Sequence, residues 1–318
     1  MPESRSEAPV AVACAVAAML CFSCVPVFLR HLTGYLDCWT VNAVRYGTAT
    51  MFWLPFVLVL DRRMQARPKA TRPRSIWLAA LVPTVPNLLG QVGWATCPYY
   101  VEATTIGFVI RVSFLFTMLL GFLLIPAERP LARRPLFLAG SATTVAGIVL
   151  MYAERLGASH MDAREATGLV IIVATAVAWA AYAVSVRRYL ARYPLRLAFG
   201  VISLYTTAGL VVLMVLLGDY GALAALPPRE WALLVVSGLI GIAMGHVFYH
   251  RGIHGIGPVV TSGVTMIGPF VTYGLAAAAL GEAMTPLQLL GGAAVVAGGL
   301  ALILAKGQVV RAEALQTP

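Results

Sequence analysis

Charge is what this sequence has least of: 11% of its 318 residues are Asp, Glu, Lys or Arg, against roughly 25% in soluble domains. With 60% of the residues hydrophobic, such a chain cannot cover itself with polar surface in water. Acids are scarcer still. All 13 carboxylates, Asp37, Glu102, Glu128 and Glu282 among them, fall between the long apolar runs or near their ends. The deep intramembrane carboxylate on which proton relays generally depend is therefore missing. A GxxxxGK[ST] phosphate loop is missing too, so ATP hydrolysis by this chain is not supported. The five cysteines form no extracellular framework, and Cys14, Cys21, Cys24 and Cys97 lie in apolar segments where a thiol packs as a small hydrophobe, with Cys38 between two such segments. A net charge of +10 would suggest nucleic acid in a soluble protein. Here the basic residues sit between apolar runs and read as topology signals, with no nucleic-acid partner.

What is present is hydrophobic length. A bilayer core about 30 Å thick takes ~20 apolar residues per helix, and a helix satisfies its own backbone hydrogen bonds. Ten segments qualify, near residues 9–29, 39–60, 76–97, 103–125, 135–153, 167–186, 196–217, 230–250, 258–280 and 286–305. The predicted fold is an all-α integral membrane protein with ten transmembrane helices. The first apolar run is longer than the usual hydrophobic region of a signal peptide and is read as a retained span. Lys and Arg stay on the cytoplasmic side, and the loop DRRMQARPKATRPR after span two carries six of them. Placing that loop inside puts both termini in the cytoplasm. Seventeen of the 23 basic residues then lie inside, four outside and two, Arg45 and Arg111, within spans. A multi-pass protein of a cell inner or plasma membrane is expected.

The chain also repeats itself. FSCVPVFLRHL, near the end of span one, aligns with WAAYAVSVRRYL near the end of span six, about 157 positions later. Glu128 precedes Gly140 and Gly147 just as Glu282 precedes Gly291 and Gly298, each glycine pair being seven apart. Two homologous halves follow, residues 1–158 and 159–318. Five spans is an odd number, so the second half enters the membrane from the opposite face, and inverted repeats of this kind place a substrate site near the midplane between the halves. The glycines leave flat helix faces suited to close packing.

Ten spans in a five-plus-five duplication, with an acid at the entrance to the last helix of each half and glycines along that helix, resemble the drug/metabolite transporter superfamily, and within it the EamA type. The likeness is carried best by IGPFVTYGLAAAALGEAMTPLQLLGGAAVVAGGLALIL (residues 267–304), with its Gly-Pro in span nine, the Gly281-Glu282 turn and the glycine-rich tenth span. The first half departs from the pattern: Leu115 roughly replaces the family's mid-helix proline, and Arg111 stands where apolar or small residues are usual. The resemblance implies alternating-access export, uptake or exchange of a small organic solute such as an amino acid, metabolite or drug. It leaves the substrate open. The expectation is a secondary transporter rather than an enzyme, with no cofactor or resident metal, working in the lipid bilayer as a monomer or homodimer.

Arg111 is the most informative position. It lies about eight residues into span four, ~12 Å from the outer edge of the core. An arginine near a helix centre costs about 2.5–3.5 kcal/mol on insertion scales, so it should face a cavity or a partner. It either anchors a carboxylate or phosphate, making the substrate anionic or zwitterionic, or bonds helix-end carbonyls or Glu102. Asn87, Gln91 and Trp94, at i, i+4 and i+7, share one face of span three and either line the cavity or bond neighbouring helices. Trp179 and Tyr182 in span six flank a substrate or pack. Thr261, Thr265 and Pro269 mark a polar, kinkable stripe on span nine, and Thr265 is taken as a site candidate. Arg45, about six residues from the outer end of span two, is expected to snorkel to the headgroups. His246, His250 and His254 stand at four-residue steps, a spacing that zinc sites use. Gly252 and Gly255 predict that the helix ends before His254. His246 is the one titratable base expected inside a span, so the transporter reads as a facilitator or exchanger, with any proton coupling through His246. An intramembrane metalloenzyme built on the histidines, and a receptor or scaffold that moves nothing, are the rival readings.

Overall fold

A computed structural model describes residues 4–66, 75–124, 126–157 and 162–316. All regular secondary structure among them is helical. Ten helices are long and apolar enough to cross a membrane: α1 (Pro9–Leu32), α2 (Cys38–Gln65), α3 (Ile76–Tyr99), α4 (Ala103–Leu124), α5 (Pro135–Ala153), α6 (Ala163–Tyr189), α7 (Leu195–Leu217), α8 (Pro228–Gly257), α9 (Val260–Leu280) and α10 (Pro286–Gln308). The expected spans are all present, and the main difference is at the end of α8. That helix does not stop before His254, as its glycines predict. It runs on to Gly257, whose φ of 80° takes the left-handed conformation that a Cβ would penalise. Residues 67–74 of the basic loop, the boundary between residues 158 and 159 and the Glu128 side chain lie outside what is described.

The helices pair in a pattern that survives exchange of the two halves. α3 packs on α6, and its counterpart α8 packs on α1; α4 packs on α6, and α9 on α1; α2 meets its own counterpart α7, and α5 meets α10. A two-fold axis between the halves produces such a pairing. The α5–α10 seam shows it at atomic scale. A Cβ on Gly147 would sit 2.6 Å from the Gly291 carbonyl oxygen, and one on Gly291 the same distance from that of Gly147. Gly140 and Gly298 face each other likewise, at 2.9 and 2.7 Å. The two glycine pairs therefore cross antiparallel, backbone against backbone, where any side chain would force the helices apart.

Short polar ties hold the ends of the helices next to the α1–α2, α3–α4, α7–α8 and α9–α10 connections. The Arg30 guanidinium donates to the Pro98 carbonyl and the Tyr99 hydroxyl to the Leu36 carbonyl. His31 pairs with the buried Glu230 at 2.7 Å. Gly281, with φ 70°, terminates α9, and the next residue, Glu282, reaches into the other half. Its carboxylate accepts from the Ala103 and Thr104 amides, both at 2.9 Å, and from the Thr104 hydroxyl, capping α4 where the helix dipole favours an anion. Asp37 caps α2 through the Trp39 and Thr40 amides and also accepts from the Asp219 amide. Burial pushes the Asp37 carboxyl up, but the Thr40 hydroxyl and the amides of Thr40, Asp219 and Trp39 outweigh it and hold the group below the usual carboxylate range.

Candidate functional site

Three helices depart from α geometry within their spans. α4 tightens to a 3₁₀ turn over Ile110–Val112, α8 loosens to a π-helix over Leu239–Met244, and α9 breaks at Met266 and Ile267 before restarting at Gly268. Such local faults redirect side chains and free backbone groups, and they gather at functional sites. Here Ile110, Arg111, Gly241 and Ile242 from the first two line a cavity of about 310 Å³. That volume falls at the small end of the ~300–1,000 Å³ of ligand pockets.

Each half seats one aromatic ring on a glycine of the other. The Trp179 indole of α6 lies over Gly90 of α3, and the Phe22 ring of α1 over Gly245 of α8, where an added Cβ would come within 2.7 Å of the ring. Both rings line the cavity. Trp94 leans on Trp179 with centroids 4.9 Å apart, while His246 lies between the Phe199 face at 4.4 Å and the Phe22 edge at 5.2 Å.

Arg111 occupies the 3₁₀ turn of α4. Its guanidinium lies against Gly268, where a Cβ would come 3.0 Å from Nη2, and next to Ser23, whose hydroxyl donates to the Gly268 carbonyl at 3.0 Å. The small residue at the restart of α9 therefore makes room for the head group. Arg111 Nε is buried and has no hydrogen-bond partner among the described residues. Arg45 differs from expectation. It is 1% exposed and does not snorkel. It lines the same cavity, and its Nε donates to the Ser237 hydroxyl of α8 at 2.9 Å. The reason is packing: its backbone is pressed onto Gly238, where a Cβ would lie 2.6 Å from the Arg45 carbonyl oxygen, so this face of α2 looks into the bundle. The Arg45 Nη1 is buried without a partner among the described residues.

Asn87, Gln91, Trp94, Trp179, Tyr182 and His246 stand on the cavity wall with Arg111. The Asn87 side-chain amide also donates to the Thr206 hydroxyl of α7 at 2.9 Å, and the Gln91 main-chain carbonyl accepts from the Asn42 side chain of α2, so α3 both lines the cavity and bonds its neighbours. Thr265 is not on this wall; its hydroxyl donates to the Ser262 carbonyl within α9, just before the break. Thr272, one element further on, takes that place. His250 and His254 do not line the cavity either. Sequence reasoning passed over Phe22, Tyr46, Phe199, Gly107 and Thr272. Phe22 was within reach, because the internal alignment sets it opposite Trp179. Among the described residues no Asp or Glu lines the cavity, so the fixed charge those residues give it is positive.

The profile of the EamA-like transporter family matches this chain twice, over residues 9–153 and 166–305. No curated protein sequence matches it. One solved crystal structure aligns with 97% of this chain and 99% of its own at 18% identity, with a TM-score of 0.61, a likeness of fold alone. The two matches each take in five spans and together cover most of the residues. The chain thus belongs to the EamA-like transporter family, as a ten-helix membrane transporter built from two inverted five-helix repeats.

Proposed function

We propose that this protein carries a small organic anion, or a zwitterion presented carboxylate first, across the membrane by alternating access. The observation that carries the reading is Arg111: among the described residues, its Nε is buried without a partner and the cavity it lines has no acid on its wall. Arginine stays charged, and removing it from water is costly until an anion meets it, while its planar fork suits a carboxylate or phosphate held by two bonds. Asn87 and Gln91 would receive further polar groups, and Trp94, Trp179 and Tyr182 would clasp the apolar body.

The faults in α4, α8 and α9 offer places where small backbone changes rock the half comprising residues 1–158 against that comprising 159–318. The ties made by Arg30, His31, Asp37 and Glu282 would break or form at one end. Both termini are assigned to the cytoplasm, in an inner or plasma membrane, on the placement of Lys and Arg. Facilitated diffusion or exchange fits a wall on which, among the described residues, His246 is the one histidine and no carboxylate stands. Calorimetric titration of the purified protein with benzoate tests the anion site. Saturable binding is expected, and Arg111→Gln should abolish it while the protein still elutes as a single species. Unaltered binding in that variant would make Arg111 a packing residue and overturn the proposal.

A further inference from the structure

We infer that the cavity is built for a dianion, two acidic groups separated by a flat apolar body, with Arg45 holding the second acid. This rests on the anion-transport reading and goes one step beyond it. Arg45 is 1% exposed, yet it lines the same cavity as Arg111 and leaves Nη1 without a partner among the described residues.

The group is held in place. Its Nε donates to the Ser237 hydroxyl at 2.9 Å, and that hydroxyl in turn donates to the Leu234 carbonyl at 2.8 Å, within the turn that leads into the π-helix. Gly241, in the π-turn, lies beside the other edge of the fork, the site of a Cβ there being 3.4 Å from Nη2. One bond fixes the guanidinium, and Nη1 is left without a partner among the described residues. Arg111 has different neighbours, Gly268 and Ser23 of α9 and α1.

Two guanidiniums with different neighbours in one cavity, with no carboxylate among the described residues of the lining, each carry a desolvation cost that a ligand anion can offset. A monoanion meets one and leaves the other buried and unmatched. A dianion meets both. The same cavity is lined by Trp94, Trp179, Phe22 and Phe199, which favours a planar apolar spacer over a hydrated one.

The full-length protein in detergent, at about pH 8 so that carboxyl groups are ionised, is titrated with benzoate and with phthalate, isophthalate and terephthalate, which sample three separations of two carboxylates. The best of the three should bind at least about tenfold more tightly than benzoate, the fold-change of one modest charged hydrogen bond. Arg45→Gln should shrink that advantage to less than about threefold, and Arg45→Lys, a point charge without the fork, should leave it in between. If Arg45→Gln does not fold, Arg45→Lys decides the matter, an undiminished advantage in it overturning the inference. Benzoate binding with no dicarboxylate advantage, or an advantage that Arg45→Gln leaves intact, would overturn the dianion inference alone. Failure of every one of these anions to bind would overturn it together with the anion reading beneath it.

Discussion

The halves of this transporter meet in two contrasting places. Along the α5–α10 seam each half contributes the same residues in the same way, Gly147 against Gly291 and Gly140 against Gly298. Around the cavity the backbone relation persists, with Trp179 on Gly90 and Phe22 on Gly245, but the chemistry is one-sided. Both arginines and both amides on the wall, Arg45, Arg111, Asn87 and Gln91, come from the first half, whereas the second half supplies Trp179, Tyr182, Phe199, His246 and the π-turn. Duplication symmetry is kept where close packing is the only demand and lost around the cavity proposed to receive the solute.

The contrast can be broken on the seam side first. Gly147→Leu puts a side chain into the Gly291 backbone, which has no rotamer to yield, so the loss of stability should reach or exceed the upper end of the ~1–3 kcal/mol typical of overpacking. The measurement is the thermal midpoint of the purified protein. Gly90→Val is the matching change beside the cavity. Its added atoms meet the Trp179 ring, a side chain next to open space, so the midpoint should fall by less, on the order of 1 kcal/mol, while benzoate binding weakens severalfold as the ring swings into the pocket. Equal stability losses in the two variants would erase the distinction between seam and cavity.

Glu282→Gln sharpens the picture at the α4 end. It removes the anion that caps α4 but keeps an acceptor, so roughly 0.5–1 kcal/mol of local stability should go, read as faster amide hydrogen exchange at Ala103 and Thr104. Asp37 gives the smallest effect. Its carboxyl is held below the usual range in the folded state, so its contribution is present above the unfolded value and is lost as pH falls through the folded one. The midpoints of wild type and Asp37→Asn should therefore converge on acidification and separate towards neutrality, the wild type being the more stable there.

The ten helices were legible because ~20-residue apolar runs admit few alternatives, and the seam because glycines seven apart recur in both halves. The face of α3 that lines the cavity could be read from the i, i+4, i+7 spacing of Asn87, Gln91 and Trp94. Arg45 could not. Insertion cost says that an arginine must leave lipid, but outward snorkelling and inward burial relieve that cost equally, and Gly238 and Ser237 on α8 decide between them. Thr265 fell away because a period-four stripe fixes a face only while its helix is continuous, and α9 breaks directly after it. The π-turn of α8 left no local signature in the sequence. Its tertiary setting is Val25 and Arg45 packed against Gly241.

The central claim is that a solute anion crosses through this cavity by meeting Arg111. Counterflow in proteoliposomes tests it most directly: vesicles holding the protein are loaded with unlabelled benzenedicarboxylate and given the labelled compound outside. The account predicts saturable uptake that rises with internal substrate for the wild type and falls to the level of empty vesicles for Arg111→Gln at equal reconstitution. Saturable counterflow of equal size in both proteins would contradict it.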